Sequence, residues 1–260
     1  MQLEGKCVLV TGAGSGIGRA LAIEASRRGM TVALCGRRFD VLAETAGLLD
    51  RTKAHVVIPA DVTRAEDRHM LSDRLHEEWG RLDVLVNNAG IIEAGPLERL
   101  TDAALEQTIA TNVTAPMALT RDMLPLLLAA KPSRVVNVGS VFGDIPYPLF
   151  AVYSATKFAL RGFSIALRRE LRDRGVGVTY AAPRATKTDA ADALEALIAA
   201  IQPRLDDPAM VAGQIWRAVE VDADSVYPAG AERIFVLLQR LFPGLVDRAV
   251  SKQMARLIAG

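Results

Sequence analysis

Apolar and polar positions follow two rhythms along the chain. Short, nearly unbroken apolar runs fall at 7–10, 31–35, 54–58, 83–86, 134–138 and 176–181, as in strands buried on both faces of a sheet. Between them, apolar residues recur every three or four positions. This predicts helices over 17–28, 40–50, 64–79 and 153–172, and a long helical region across 102–130. Strict strand–helix alternation implies right-handed crossovers and a doubly wound parallel sheet in a three-layer α/β/α arrangement. No Gly/Ser-rich linker, low-complexity tract or internal repeat interrupts 1–260, so one domain is expected, with a helical extension over 231–260.

Composition narrows the function classes. At 260 residues, half of them hydrophobic and 23% charged, the chain can bury one large core. Lys+Arg 31 against Asp+Glu 30 leaves a net charge of +1, no global excess with which to hold a nucleic-acid backbone. Two cysteines without a CxxC pair, and histidines at 55, 69 and 76 without ligand spacing, point to neither a disulfide framework nor a metal site. Residues 1–6 are polar and no apolar run approaches the roughly 18–20 residues of a membrane span. A cytoplasmic protein without a transmembrane segment is the expectation.

The first chemical motif follows the first strand. In Thr11-Gly-Ala-Gly-Ser-Gly-Ile-Gly18, glycines at 12, 16 and 18 let the backbone turn tightly, approach a pyrophosphate and pack the next helix on the sheet. Free amides at that helix N-terminus would face phosphates, where the helix dipole favours negative charge. The fold is therefore expected to be of Rossmann type. The second strand ends at Gly36, where an NAD-preferring protein would carry an acid for the ribose 2′-hydroxyl; Arg37 and Arg38 follow instead. Losing the carboxylate and gaining a guanidinium suits a 2′-phosphate, so NADP(H) is predicted over NAD(H). Ser15 is not basic and adds no second positive contact.

Tyr153 and Lys157, in Tyr-Ser-Ala-Thr-Lys, share a helix face at i and i+4. A nearby ammonium favours phenolate over phenol. Thirteen residues upstream, Ser140 ends the 134–138 strand at the carboxyl edge, where doubly wound folds place ligands. With Asn87-Asn-Ala-Gly90 after the fourth strand and Asp61-Val62 after the third, this set resembles the short-chain dehydrogenase/reductase family over about residues 3–188.

The resemblance implies a carbonyl–alcohol oxidoreductase with Asn112, Ser140, Tyr153 and Lys157 as its catalytic tetrad. Tyr153 would act as general acid/base and Ser140 would donate to the same oxygen. Lys157 would hold the ribose, and Asn112 would support a water relay. It also implies dinucleotide contacts from Gly12, Ser15, Gly16, Ile17, Gly18, Arg37, Arg38, Asp61, Val62, Asn88, Ala89, Gly90, Tyr153, Lys157, Pro183 and Thr188, and a small-molecule carbonyl or alcohol as substrate. One departure is plain: Pro183-Arg-Ala-Thr-Lys-Thr188 carries Arg184 where the family has glycine and Thr186 where it has valine. Arg184 is expected either to face solvent or to clasp a phosphate or substrate anion. The competing readings are a non-catalytic dinucleotide-binding redox sensor and a related epimerase or dehydratase.

A lid over the substrate is expected at 187–207. Ala190, Ala193, Leu194, Leu197, Ile198 and Ile201 form an apolar stripe there, a lean toward a lipophilic or acyl-type substrate. By resemblance, the helices across 102–130 and 153–172 would pair two copies into a homodimer. In the tail, 234–238 is helical in pattern, Pro243-Gly244 breaks it, and a second helix follows. Five basic residues face one acid between 233 and 256. Such a tail can touch a membrane surface, or pack over the cleft or a partner subunit.

Overall fold

The computed structural model of the chain describes residues 1–188, 205–228, 230 and 232–259. Its first half runs β1 (Cys7–Thr11), α1 (Gly16–Arg27), β2 (Thr31–Gly36), α2 (Phe39–Gly47), β3 (Val56–Pro59), α3 (Ala65–Trp79), β4 (Val84–Asn87). Then come α4 (Asp102–Ile109), a π-helical stretch (Ala110–Thr114), α5 (Ala115–Ala129), β5 (Ser133–Val138), α6 (Ala151–Leu171) and β6 (Val176–Ala181). The last described elements are α7 (Pro208–Glu220), β7 (Ser225–Val226), α8 (Glu232–Leu241) and α9 (Pro243–Ala259). Each predicted strand is present to within two residues. Helix α2 stops three residues early, at Gly47, the residue among its own that costs a helix most.

The strands form one parallel sheet in the order β3-β2-β1-β4-β5-β6-β7. Chain order therefore reverses between β1 and β4, and the loops leaving those two strands stand side by side at the carboxyl edge. Alternate side chains serve opposite faces. Val8, Val10, Val32 and Leu34 pack with Leu21 and Ala25 of α1 and with Ile215 and Trp216 of α7. Leu9, Ala33 and Leu85 pack on the other side with Leu71 and Leu75 of α3, Met123 of α5 and Leu171 of α6. The fully buried Trp216 donates its indole N–H to the Leu21 carbonyl at 3.0 Å, tying α7 to α1.

Two elements depart from the sequence reading. The helical region across 102–130 is interrupted by the π-helical turn, a feature that often marks functional positions. Helix α7 was not anticipated, although Asp207 caps it through Ala209 N at 2.7 Å and Pro208 opens it. In the tail, the predicted break falls at Phe242, with Pro243 opening α9. Among the described residues, no helix is long and apolar enough to cross a membrane.

Candidate active site

A cleft of about 550 Å³ opens at the carboxyl edge of the sheet, over the point where strand order reverses. Every predicted cofactor contact lines it, from Gly12 to Thr188, together with Ser140, Tyr153 and Lys157. Its floor is built by the glycine loop. Gly12 and Gly16 have φ of +64° and +52°, a region that L side chains rarely adopt. A Cβ on Gly18 would stand 2.1 Å from the Gly12 carbonyl oxygen, so only glycine lets α1 sit this close to β1. Ser15 begins α1 in extended conformation without capping it through its side chain, which leaves first-turn amides for an anion. This bare, amide-lined cradle fits a pyrophosphate.

Neighbouring groups hold the loop in place. The Thr11 hydroxyl accepts from Asn88 N and Ala89 N, both at 3.0 Å, and the Asn88 side-chain amide donates to Thr11 O at 2.9 Å. Arg19 donates from Nε to Gly14 O at 2.9 Å and pairs with Glu44 of α2. Arg37 and Arg38 are exposed on the cleft wall where β2 ends. Asp61 lines the same wall. Partial burial pushes its carboxyl up, but the Thr63 hydroxyl and amide, with Arg37 and Arg64 nearby, hold it below the usual range.

At the far end, Ser140, Tyr153 and Lys157 converge. Burial pushes the half-buried Tyr153 phenol up to about 12, opposed by its hydrogen bond with Ser140. Burial pushes Lys157 down to about 8. The Lys157 ammonium donates to Val138 O at 3.1 Å and lies 5.4 Å from the centre of the Tyr153 ring. Asn112 alone of the predicted residues stands behind the cleft wall. It lies in the π-helical turn, buried, accepting from Ile91 N at 2.9 Å and donating to Ile91 O at 2.8 Å. These bonds fix the loop after β4 against α4. An aromatic group adjoins the site: Phe142 stacks on Tyr147 at 5.8 Å, and meets Phe150 and Tyr153 at 5.1 and 6.2 Å.

Sequence reasoning missed several supporting side chains. Under the site, Asn87 donates to Asn137 Oδ1 at 2.8 Å and to Thr120 Oγ1 at 3.0 Å, and Asn137 donates to Ser164 Oγ at 2.8 Å. This buried polar ladder joins β4, β5, α5 and α6. Its signal was available, since an asparagine amid the valines of 134–138 asks for a buried partner. Arg184 does not face solvent; it lines the cleft and is paired within the protein. Its guanidinium meets the buried Asp206 carboxylate at 2.6 Å, and the two flanking backbones exchange bonds, Lys187 N to Asp206 O at 3.0 Å and Asp206 N to Ala185 O at 2.9 Å. The partner comes from the far end of the predicted lid, 22 residues along the chain, so a local reading had no access to it. The apolar stripe at 190–201 lies outside the described residues.

Known proteins share this plan. The sequence model of the short chain dehydrogenase family matches residues 6–197. Nodulation protein G of Rhizobium sp. (strain N33) is 32% identical over 246 residues, 92% of this chain and 96% of that one. The 3-oxoacyl-(acyl-carrier-protein) reductase of Haemophilus influenzae is 34% identical over 193 residues, 74% of this chain and 78% of that one. The crystal structure of a short chain dehydrogenase/reductase from Burkholderia phymatum in complex with NAD superposes with a TM-score of 0.87, at 26% identity, over 94% of this chain and 96% of that chain. The chain belongs to the short chain dehydrogenase family, and it is an NAD(P)-dependent oxidoreductase acting on CH–OH and C=O groups.

Proposed function

We propose that the enzyme reduces a lipophilic or acyl-type carbonyl with NADPH, using Tyr153 as general acid. The convergence of Ser140, Tyr153 and Lys157 on one cleft, beyond the glycine loop, carries this reading. The nicotinamide cofactor, held along Gly12–Gly18, Asp61 and Asn88–Gly90, supplies the hydride when bound. Tyr153 enters the reaction as a phenol, because burial keeps its proton on at neutral pH. It gives that proton to the oxygen of the carbonyl as the carbon is reduced, while the Ser140 hydroxyl donates a hydrogen bond to the same oxygen. A protonated Lys157 beside the ring stabilises the phenolate left behind. Asn112 acts as a positioning residue, holding Ile91 and, at 3.2 Å, Thr156 of the tyrosine helix.

Arg37 and Arg38, exposed on the wall with no acid at Gly36, support NADP(H) over NAD(H). Ile91, Ile92, Val141, Phe142 and Phe150 on the wall support a lipophilic substrate, as does the activity named for the Haemophilus influenzae relative. Tyr153→Phe tests the mechanism: turnover falls by at least about a thousandfold while NADPH binding stays within a few fold, and a tenth of wild-type kcat remaining would refute it. Comparison of kcat/KM with NADPH and NADH tests the cofactor; equal values or an NADH preference would refute that part. The outward side of α6 carries exposed Ala155, Phe158, Ala159 and Gly162, which supports a homodimer through this helix. Light scattering at micromolar concentration checks it, a monomer being the contrary result. The reading places the enzyme in the cytoplasm, where buried Cys7 and Cys35 remain thiols.

A further inference from the structure

Helix α8 is mounted with its apolar side outward. At about 100° per residue, Val236 and Arg240 share the side turned to the body of the protein. Val236 is buried, and the Arg240 guanidinium reaches the buried Asp144 carboxylate at 2.8 Å. Turned away from the body, Ile234, Leu237 and Leu241 form one arc, with Phe235 and Phe242 together along one margin of it, each of them half or more exposed. Leu245, at the start of α9, extends the patch. A surface helix ordinarily turns its apolar stripe to the core and its polar arc to water; α8 does the reverse. Its rotation is fixed by charge. Asp144 also accepts from Tyr227 Oη at 2.9 Å and pairs with Arg161 Nε of α6 at 3.3 Å. Rolling α8 to hide its apolar arc would take Arg240 off this buried carboxylate.

We propose that the α8–α9 pair is an interfacial anchor, seating this apolar face in a bilayer that carries anionic headgroups. Ten residues make α8 about 15 Å long, half the hydrocarbon thickness, so it would lie in the interface rather than cross it. The remaining charge suits anionic lipid: besides Arg240, which Asp144 holds, the α8–α9 pair carries four basic residues against the acids Glu232 and Asp247, and Arg248 and Lys252 of α9 are exposed. Phe235 and Phe242, seven residues apart, put two aromatic rings along one margin of the apolar arc, where the headgroup boundary would fall. Contiguous exposed apolar side chains of this kind mark a contact surface. The root of the anchor, Asp144, directly follows the Val141–Gly143 turn that begins at Ser140, so the seated face and the reaction cleft share one turn of chain. The anchor does not depend on the hydride-transfer reading, and its test does not require the native substrate.

The full-length protein is mixed with vesicles of phosphatidylcholine alone or with about one-third phosphatidylglycerol, at low salt and at about 0.5 M salt. It is expected to co-sediment with the anionic vesicles at low salt and to bind at least about ten-fold more weakly at high salt. The double substitution Leu237→Glu and Leu241→Glu, both on exposed positions, should weaken binding about ten-fold or more while leaving melting temperature and solution mass unchanged. No co-sedimentation at low salt would overturn the proposal, as would undiminished binding by the double variant. If wild type ignores vesicles and the double variant loses mass in light scattering, the face belongs to a second copy of the chain.

Discussion

Two helical glycines should answer the same substitution with opposite signs. Gly213 lies within α7 with nothing within 4 Å of where a Cβ would stand. Gly213→Ala therefore gains helix propensity alone, about 0.8–1 kcal/mol, or about 2–4 °C in Tm. Gly18→Ala gains a similar propensity, but its methyl carbon would meet the Gly12 carbonyl oxygen at 2.1 Å and Asn88 Nδ2 at 2.5 Å, where ordinary contact begins at 3.4 Å. Moving Asn88 off the Thr11 carbonyl it holds at 2.9 Å would leave the Gly12 contact in place, so relief requires α1 to back away from β1 by more than an ångström. Overpacking of this kind costs about 1–3 kcal/mol, so the propensity gain is cancelled or reversed. The same displacement deforms the phosphate cradle, and NADPH should bind at least about ten-fold more weakly, a loss of about 1.4 kcal/mol. Thermal melts and a fluorescence titration with NADPH read both effects. The reasoning fails if Gly18→Ala melts as high as Gly213→Ala, or if it binds NADPH as the wild type does.

Arg37→Ala should lower kcat/KM for NADPH by about 10–100-fold, the worth of charge-assisted hydrogen bonds at about 1.5–3 kcal/mol, and leave that for NADH within about three-fold; equal losses would show that the side chain does not read the 2′-phosphate. Asp206→Asn removes the buried partner of Arg184 and should cost about 3 kcal/mol by urea denaturation, whereas Arg184→Met with Asp206→Leu recovers most of that loss; additive losses in the double variant would count against the pairing. Burial lowers Lys157 to about 8 from 10.5, so between those values the unfolded chain holds a proton that the folded one lacks, and this group makes stability rise with pH. Tyr153, raised to about 12 from 10.0, acts in the opposite sense above pH 10. Denaturation from pH 8 to 10.5 should therefore shift the comparison with Lys157→Met in favour of wild type by about 2–3 kcal/mol; a constant gap would mean that Lys157 is not neutralised by burial.

The sheet was legible because its signal is local. A strand such as Val176–Ala181, buried on both faces, must be apolar throughout, and turn chemistry bounds it. The glycine loop was legible for a similar reason: Gly12 and Gly18 answer to a carbonyl and an amide a few residues or one strand away. Side chains whose partners come from distant elements were not. Arg184 reads as a misplaced cation until Asp206 stands beside it, and Asp144 is an ordinary loop acid until Tyr227, Arg240 and Arg161 reach it. The same holds for Asn112. Its segment has helical periodicity, but the widening to a π turn that buries its amide against Ile91 depends on tertiary contact. In the tail, periodicity predicted an amphipathic helix, yet which arc faces water was decided by one buried carboxylate.

The Arg184–Asp206 pair has an evolutionary consequence. With the two ends fastened by an ion pair and by reciprocal backbone bonds, the closure of the intervening chain no longer depends on what that chain contains. Lengthening a closed loop is cheap, about 0.6 kcal/mol for each doubling. The interval between those ends can thus be rewritten, in sequence or in length, without reopening the problem of where it starts and stops. A chain clasped in this way offers a cassette: the stretch between Thr188 and Leu205 can be exchanged while the pair that bounds it is kept.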